Sequence, residues 1–193
     1  GWGEKSIENL FLAINQKRQI SLEKFIYAIG IRHIGETTAK IIAKHFKSYK
    51  NFKEKVVLML HDKNQDYEDF VSIDGIGEKM AQAFLDYFRN QENLKIIEDL
   101  EPELTIQDAE INYISSEFSQ KSIIFTGTLE KMSRMEAKKC AQDLGMRVVG
   151  SVSKKTDFLV AGAEAGSKLK KAQEMKIKIL TEEDWLSMLN RVK

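Results

Sequence analysis

One cysteine, one proline and no long apolar run set the first limits on this 193-residue chain. A lone Cys140 excludes an internal disulfide and any zinc site built from several cysteines. Such sparing use fits a reducing cytoplasm. No hydrophobic stretch approaches the roughly 20 residues that a membrane-spanning helix needs, and no secretory leader pattern is visible. No contact with a membrane is therefore expected. The chain opens on Gly1 rather than methionine, which is the expectation for a piece cut from something longer. What remains, 42% hydrophobic and 31% charged residues, is the composition of a soluble globular protein with one large domain or two small ones.

Net charge is also nearly absent, at +1, but it is segregated. Residues 1–55 carry +6, residues 56–117 carry −11 and residues 118–193 carry +6. Two basic segments flanking an acidic one suggest contact with a polyanion at two places. Solvated faces with chance clustering give the same pattern from charge alone.

Glycine is where the first half is organised. The stretch Ser72-Ile73-Asp74-Gly75-Ile76-Gly77-Glu78-Lys79 reads as a turn built on two glycines that opens a helix. Glycine permits backbone angles a side chain blocks, so successive N–H groups can point outward together at a helix mouth. That arrangement suits an anion, most simply a phosphate. Gly1-Trp2-Gly3-Glu4-Lys5 repeats the pattern, and so does His33-Ile34-Gly35-Glu36, with His33 in the first glycine's place. A single Gly-x-Gly turn between helices is common for geometry alone. Three copies, each followed by Glu and an amphipathic helix, point further. Lys5 and Lys79 match across two copies and would supplement the nest as mobile charges, and Arg32 and His33 lie along the same loop. As plain structure, these are exposed first-turn and loop residues.

Apolar residues at i, i+3, i+4 and i+7 mark the helices. Ile7, Leu10, Phe11 and Ile14 form one face. Leu22, Phe25, Ile26 and Ile29 form another, with Ser21 as its N-cap and Gly30 closing it. Ala39, Ile42, Ala43 and Phe46 point inward on a third. Met80, Ala83, Phe84, Tyr87 and Phe88 mark the helix after the Gly75–Gly77 turn, and Leu94, Ile97 and Leu100 one more. Residues 1–100 therefore read as an all-helical domain. Residues 101–117 are polar and acidic around the only proline and read as an extended, mobile linker, with a docked short helix or strand as the alternative.

Residues 118–193 change texture. Ser122–Thr126 is an apolar run ending at Gly127, the pattern of a buried parallel strand. Ser133-Arg134-Met135-Glu136 is a capping box for a helix that closes at Gly145. Strands at 147–149, 158–161 and 176–180 alternate with helices at 168–175 and after Thr181, which predicts a small four-stranded parallel α/β sheet. Thr126 and Gly127 fall at a strand's carboxyl end and Ser167-Lys168 opens the next helix; ligands of parallel sheets favour that edge.

Both halves resemble known families. The glycine repeats resemble helix–hairpin–helix motifs. The runs Gly1–Leu10, Tyr27–Glu36 and Ile73–Gly77 closely resemble the helix–hairpin–helix domain of the bacterial NAD-dependent DNA ligases. That domain carries four such motifs, and this chain would begin inside the second. Residues 118–193 resemble a BRCT domain through Phe125-Thr126-Gly127-Thr128-Leu129, the Gly145 turn, Val152–Val160, Gly166-Ser167-Lys168-Leu169 and Trp185. The Thr-Gly-Thr-Leu and Gly-Ser-Lys-Leu runs again match that ligase family, in the same domain order, as a C-terminal fragment.

The resemblance implies a bacterial, cytoplasmic, nucleoid-associated monomer that grips nicked double-stranded DNA without reading sequence. Gly1, Gly3, Gly35, Gly75 and Gly77 would present amides to phosphates, helped by Lys5, Arg32, His33 and Lys79. In BRCT domains that bind phosphate, the pocket would map to Thr126, Gly127 and Lys168, with Arg134 for a DNA 5′ phosphate. The same residues read as a strand-end cap, a turn and solvated cations without any ligand. The parent enzyme would use NAD, Mg and a structural Zn, none of them held by this chain. It would seal a 3′ hydroxyl to a 5′ phosphate, releasing AMP and nicotinamide mononucleotide. No Lys-x-Asp-Gly adenylation motif is present, so the chain is expected to be inactive alone, with no catalytic or metal residue. Two other readings stay open. One is a repair-protein module whose BRCT binds a phosphorylated protein partner. The other is a helix–hairpin–helix glycosylase, with Lys79 or Asp86 near the hairpin.

Overall fold

A computed structural model describes residues 3–62, 64–110 and 116–192; Gly1 and Trp2 of the first repeat lie outside them. The chain divides into two compact units, Gly1–Val71 with Glu78–Ile111, and Ser72–Gly77 with Asn112–Lys193. None of the described helices is long and apolar enough to cross a membrane.

The first unit is helical, with α1 (Glu4–Gln16), α2 (Leu22–Ala28) after a short strand β1 (Gln19–Ser21), α3 (Glu36–Phe46), α4 (Tyr49–His61) and α5 (Gln65–Ser72). Then follow α6 (Glu78–Arg89), α7 (Gln91–Leu100), a 3-10 turn at Glu101–Glu103 and a second strand β2 (Thr105–Gln107). Its core is aromatic. Phe46 meets Phe52 edge-on at 5.3 Å between ring centroids and stacks on Phe70 at 5.8 Å. Phe84 lies 4.8 Å from Phe70 and 5.0 Å from Phe88. Offset and edge-to-face rings of this kind add to the burial of their area. They tie α3, α4, α5 and α6 into one layer.

The inward faces of α2 and α3 are largely the expected ones, with Leu22, Phe25, Ile26, Ala39, Ile42, Ala43 and Phe46 all buried; Ile29, just past the end of α2, is only partly covered. On α6 the buried face is rotated: Ala81 and Leu85 join Phe84 and Phe88, while Met80, Ala83 and Tyr87 are only partly covered. Helix α1 forms as expected, but its apolar face is bare, with Ile7, Leu10, Phe11 and Ile14 all exposed. Ser21 precedes α2 with extended backbone yet makes no side-chain cap, and its buried hydroxyl has no hydrogen-bond partner. Helices α4 and α5 carry no glycine signal; Phe52, Val56 and Met59 are the buried i, i+4, i+7 stripe of α4.

The acidic segment after Leu100 is docked over its first nine residues. β2 pairs with β1 in parallel, Gln19 against Thr105, and adds two short strands to an otherwise helical unit. The Thr105 N–H donates to the Arg18 carbonyl at 2.7 Å and the Ala109 N–H to the Lys47 carbonyl at 2.8 Å. Asp108 accepts the Tyr49 N–H at 3.1 Å, Lys53 pairs with Glu101 at 2.7 Å, and Tyr49 donates its hydroxyl to Glu101. Arg18 pairs with Glu103. The acids expected to keep this stretch extended instead find cations and N–H donors on the helices.

The second unit is a parallel sheet in the order β4–β3–β5–β6, from β3 (Ser122–Thr126), β4 (Arg147–Val148), β5 (Phe158–Ala161) and β6 (Lys178–Thr181). Helices α8 (Arg134–Asp143), α9 (Ser167–Glu174) and α10 (Glu182–Val192) cover it. All five residues of β3 are buried, as a strand covered on both faces must be. Ile123 and Phe125 face a core with Ala137, Ala141 and Trp185; Ile124 faces another with Leu159 and Ala172. The Ser133–Glu136 capping box forms in full, and Gly145 takes the left-handed angle, φ 73°, after α8. The Glu182 carboxylate accepts the N–H groups of Glu130 and Lys131 at 2.8 Å each and of Met132 at 3.2 Å, fastening the β3–α8 loop to α10. Within this unit Ile73 bridges Val149 antiparallel and Asp74 pairs with Lys138 at 2.6 Å.

Two outcomes follow for stability. Burial pushes the Glu101 carboxyl up, but hydrogen bonds from Lys53 and Tyr49 and the lysine's charge outweigh it and hold the group below its ordinary range. A depressed carboxylate contributes stability that is complete above the ordinary glutamate range and is lost as pH falls through the folded value. Glu101→Gln should therefore cost about 1 kcal/mol at neutral pH, because the pair is partly exposed. The gap to the parent chain, read from thermal melts, should close as pH is lowered below the ordinary glutamate range. Ser122 is the second case. Its buried hydroxyl donates to the Lys155 carbonyl at 2.6 Å and accepts the Asp157 N–H at 2.9 Å. Ser122→Ala should cost about 1–3 kcal/mol in denaturant unfolding.

Candidate nucleic-acid interface

The loop from α2 to α3 and the loop from α5 to α6 make the same turn. The Ile34 N–H donates to the Ile31 carbonyl at 3.1 Å, and the Ile76 N–H to the Ile73 carbonyl at 3.0 Å. The third residue of each turn is left-handed: His33 at φ 69° and Gly75 at φ 91°. His33 thus takes the backbone role of the glycine it replaces, at a steric cost of about 1 kcal/mol that glycine avoids. Buried Ile31, Ile34 and Ile76 root the turns, while Arg32, His33 and Gly75 are exposed at their tips.

The second glycine of each repeat stands at a helix mouth. Gly35 precedes α3 with extended backbone, φ −86°, and its carbonyl accepts the Ala39 N–H at 2.9 Å. Gly3 precedes α1 in the same way, φ −91°, accepting the Ser6 N–H at 2.9 Å and the Ile7 N–H at 3.1 Å. A Cβ built on Gly3, Gly35 or Gly77 meets nothing within 4 Å. Neither backbone angle at Gly3 and Gly35 nor crowding at any of the three calls for glycine. Each mouth carries a glutamate in its first turn, Glu4, Glu36 and Glu78, which complements the helix dipole.

Arg32 and His33 from the first of these turns and Lys79 from the first turn of α6 line one open groove of about 510 Å³. Gly30, Gln82, Ala83, Asp86, Tyr87 and Asn93 complete it. Asp86 is committed, accepting from Arg89 at 2.9 Å and Gln82 at 2.7 Å. Burial pushes the Tyr87 phenol up, so it remains a neutral hydrogen-bonding group. Three residues singled out from sequence are thereby brought together. Lys5, exposed on α1, does not line the groove, and Gly1 lies outside the described residues. Gln82 and Asp86 were legible at i+3 and i+7 from Lys79 on one helix face; Asn93, from α7, carries no sequence signal of its own.

In the second unit Thr126 is buried at the carboxyl end of β3. Gly127 is left-handed, φ 77°, and a Cβ there would sit 2.5 Å from the Ala163 carbonyl oxygen. Arg134 donates to the Gly127 carbonyl at 2.6 Å, and Lys168 donates to the Gly150 carbonyl at 2.8 Å. The close pairing of Thr128 with Ala163 thus requires glycine at 127, and both cations are engaged by backbone oxygens.

Among the described residues no group of three or more His, Cys, Asp or Glu could hold a metal ion. Cys140 is packed against the core of the second unit. The donor set therefore does not fit a structural zinc.

Comparison with known proteins agrees in both halves. A helix–hairpin–helix motif family matches residues 24–97, and the BRCA1 C Terminus (BRCT) domain family matches residues 114–189. The chain is 45% identical over 192 residues to the DNA ligase of Rickettsia canadensis (strain McKiel). It is 43% identical to that of Rickettsia bellii (strain OSU 85-389) and 44% to that of Rickettsia rickettsii (strain Sheila Smith). In each case the match takes in 100% of this chain and 28% of the relative, so the chain spans under a third of the length of these enzymes. Matched along its whole length, and by both domain families in order, the chain belongs to the DNA ligase family, as a stretch that carries helix–hairpin–helix and BRCT regions.

Proposed function

We propose that this chain is the non-catalytic, sequence-independent DNA-holding part of an NAD-dependent DNA ligase that seals nicks in duplex DNA during replication and repair. The observation that carries this reading is the pair of glycines, Gly35 and Gly77, at helix mouths where the fold leaves the Cβ position open. A glycine the fold does not need keeps space for a partner's close approach to the backbone. An N–H-bearing helix mouth with its dipole favours an anion there. Arg32, His33 and Lys79, gathered in one groove, supply positive charge and donors beside the turn. Phosphate contacts of this kind fix position on a duplex and carry no sequence information.

Catalysis belongs to parts of the enzyme beyond this chain. NAD, Mg and a structural Zn are assigned to those parts as well. The chain acts as a monomer in the bacterial cytoplasm, with nicked duplex as its partner.

The test separates fold from function. Gly35→Ala with Gly77→Ala should change folding stability by no more than about 1 kcal/mol per site, the usual range for helix-cap replacements. The same change should weaken binding to nicked duplex at least tenfold, as measured by fluorescence anisotropy. Arg32→Ala with Lys79→Ala should reduce the slope of log affinity against log salt by about 0.9 for each phosphate that is no longer neutralised. An equal weakening across unrelated DNA sequences is expected. Unchanged affinity in both pairs of variants would sink the reading.

A further inference from the structure

Charge in the second unit is sorted between the two ends of its sheet. The carboxyl ends of the strands lead into loops and helix starts that hold Glu130, Glu136, Glu164, Glu182, Glu183 and Asp184. Against these six acids stand Lys131, Arg134 and Lys168. Lys131 pairs with Glu183 at 2.9 Å, and Arg134 and Lys168 donate to backbone carbonyls. The end of the sheet where ligands of parallel sheets are ordinarily found is therefore acidic here.

The amino ends carry the opposite sign. Arg147 is the first residue of β4, Lys121 immediately precedes β3, and Lys178 is the first residue of β6. Lys176 lies two residues before Lys178, in the turn after α9. Lys155 is placed there by its carbonyl, which accepts the Ser122 hydroxyl at 2.6 Å, and Lys154 is its neighbour. All six are exposed. The acids at this end are Glu117, Asp143, Asp157 and Glu174. Asp157 is already used, accepting the Ser122 N–H at 2.8 Å and pairing with Lys121 at 3.3 Å.

Strand register lines up Arg147, the start of β3 beside Lys121, and Lys178 along this edge, with Lys154, Lys155 and Lys176 in the adjoining loops. Ser122 stands opposite Arg147, and Phe158 is flanked by Ile123 and Lys178. Four strands at about 4.8 Å spacing make a row about 14 Å wide. That matches roughly four base-pair steps at about 3.4 Å of rise. Long, flexible lysine stems let the charges adapt to phosphates along such a span.

We propose that the BRCT unit contacts duplex DNA through this amino-end row of cations, as a sequence-independent phosphate-binding edge, and not through the carboxyl-end residues Thr126, Gly127, Arg134 and Lys168. The inference rests on the DNA-holding function proposed above. The helices α8 and α9 end at this edge, and cations also complement helix C-termini. That role alone would show in stability rather than in DNA binding, which makes the two separable.

The experiment uses the full chain and a nicked duplex of mixed sequence, with affinity measured across a salt series. Lys154→Ala, Lys176→Ala and Lys178→Ala together should lower the slope of log affinity against log salt by about 2–3, at about 0.9 per neutralised phosphate. Arg134→Ala with Lys168→Ala should leave the slope where it was. Thermal melts of each variant establish that it is folded. A triple variant with an unchanged slope overturns the edge, whether or not its melting point falls. A reduced slope in the carboxyl-end variant instead overturns it as well. If the Gly35 and Gly77 variants lose DNA while the triple variant does not, only this inference fails. If the parent chain binds no duplex, both proposals fail together.

Discussion

Everything proposed for the first half hangs on one backbone constraint, a left-handed residue at the third position of the turn between two helices. At His33 and Gly75 that angle lets the chain reverse within four residues and deliver a glycine, Gly35 or Gly77, to the next helix mouth. Buried Ile31, Ile34 and Ile76 at the turns' ends convert a local preference into a fixed one, because the turns cannot shift without exposing them. The aromatic layer of Phe46, Phe52, Phe70, Phe84 and Phe88 then holds the helices on either side. The groove lined by Arg32, His33 and Lys79 is a consequence of that order: turn first, helix mouths second, charge last.

Much of this was legible because it is local. Period-3.6 stripes fixed the inward faces of α2 and α3, and the Ser133–Glu136 box and Gly145 bracketed α8 residue by residue. The equivalence of His33 to a glycine was readable from alignment of the repeats, and the backbone angle gives it a physical basis. What escaped depends on partners distant in sequence. The buried face of α6 includes Ala81 and Leu85, and it packs through Phe84 against Phe52 and Phe70, which come from helices that carry no glycine signal. Residues 101–109 have a linker's composition, yet Tyr49, Lys53 and Arg18 supply the donors their acids need. Acid content signals extension only when no complementary surface lies within reach. Helix α1 fails in the other direction: its stripe predicts burial, and all four of its residues are exposed.

In the second unit the fold was more readable than the electrostatics. A buried run, a glycine and a capping box specify strand, turn and helix without reference to charge. Which acids meet at which end of a sheet emerges only from topology. Glu182 illustrates the difference. In the sequence it belongs to an acidic helix start, a dipole complement. In the fold it also clamps three N–H groups of the β3–α8 loop, and burial, which pushes its carboxyl up, is outweighed by those hydrogen bonds. A carboxylate held ionised in this way adds its charge permanently to the carboxyl end, where a phosphate would otherwise be expected to bind.

Glycines of two kinds meet in this chain, and sequence cannot separate them. Gly127 and Gly162 are required by the fold, since a Cβ on either would lie within 2.5 Å of a carbonyl oxygen of the bridged Thr128–Ala163 pair. Gly35 and Gly77 are not, since a Cβ on either would stand in open space. A motif match treats both kinds alike and turns each into a candidate binding residue. The structure divides them by asking what a single added carbon would meet. Where it meets the protein's own backbone, the glycine is explained by the fold and lends nothing to a binding site. Where it meets nothing, the explanation has to come from outside the chain, and at a helix mouth beside Arg32 or Lys79 the partner best suited to that space is an anionic backbone.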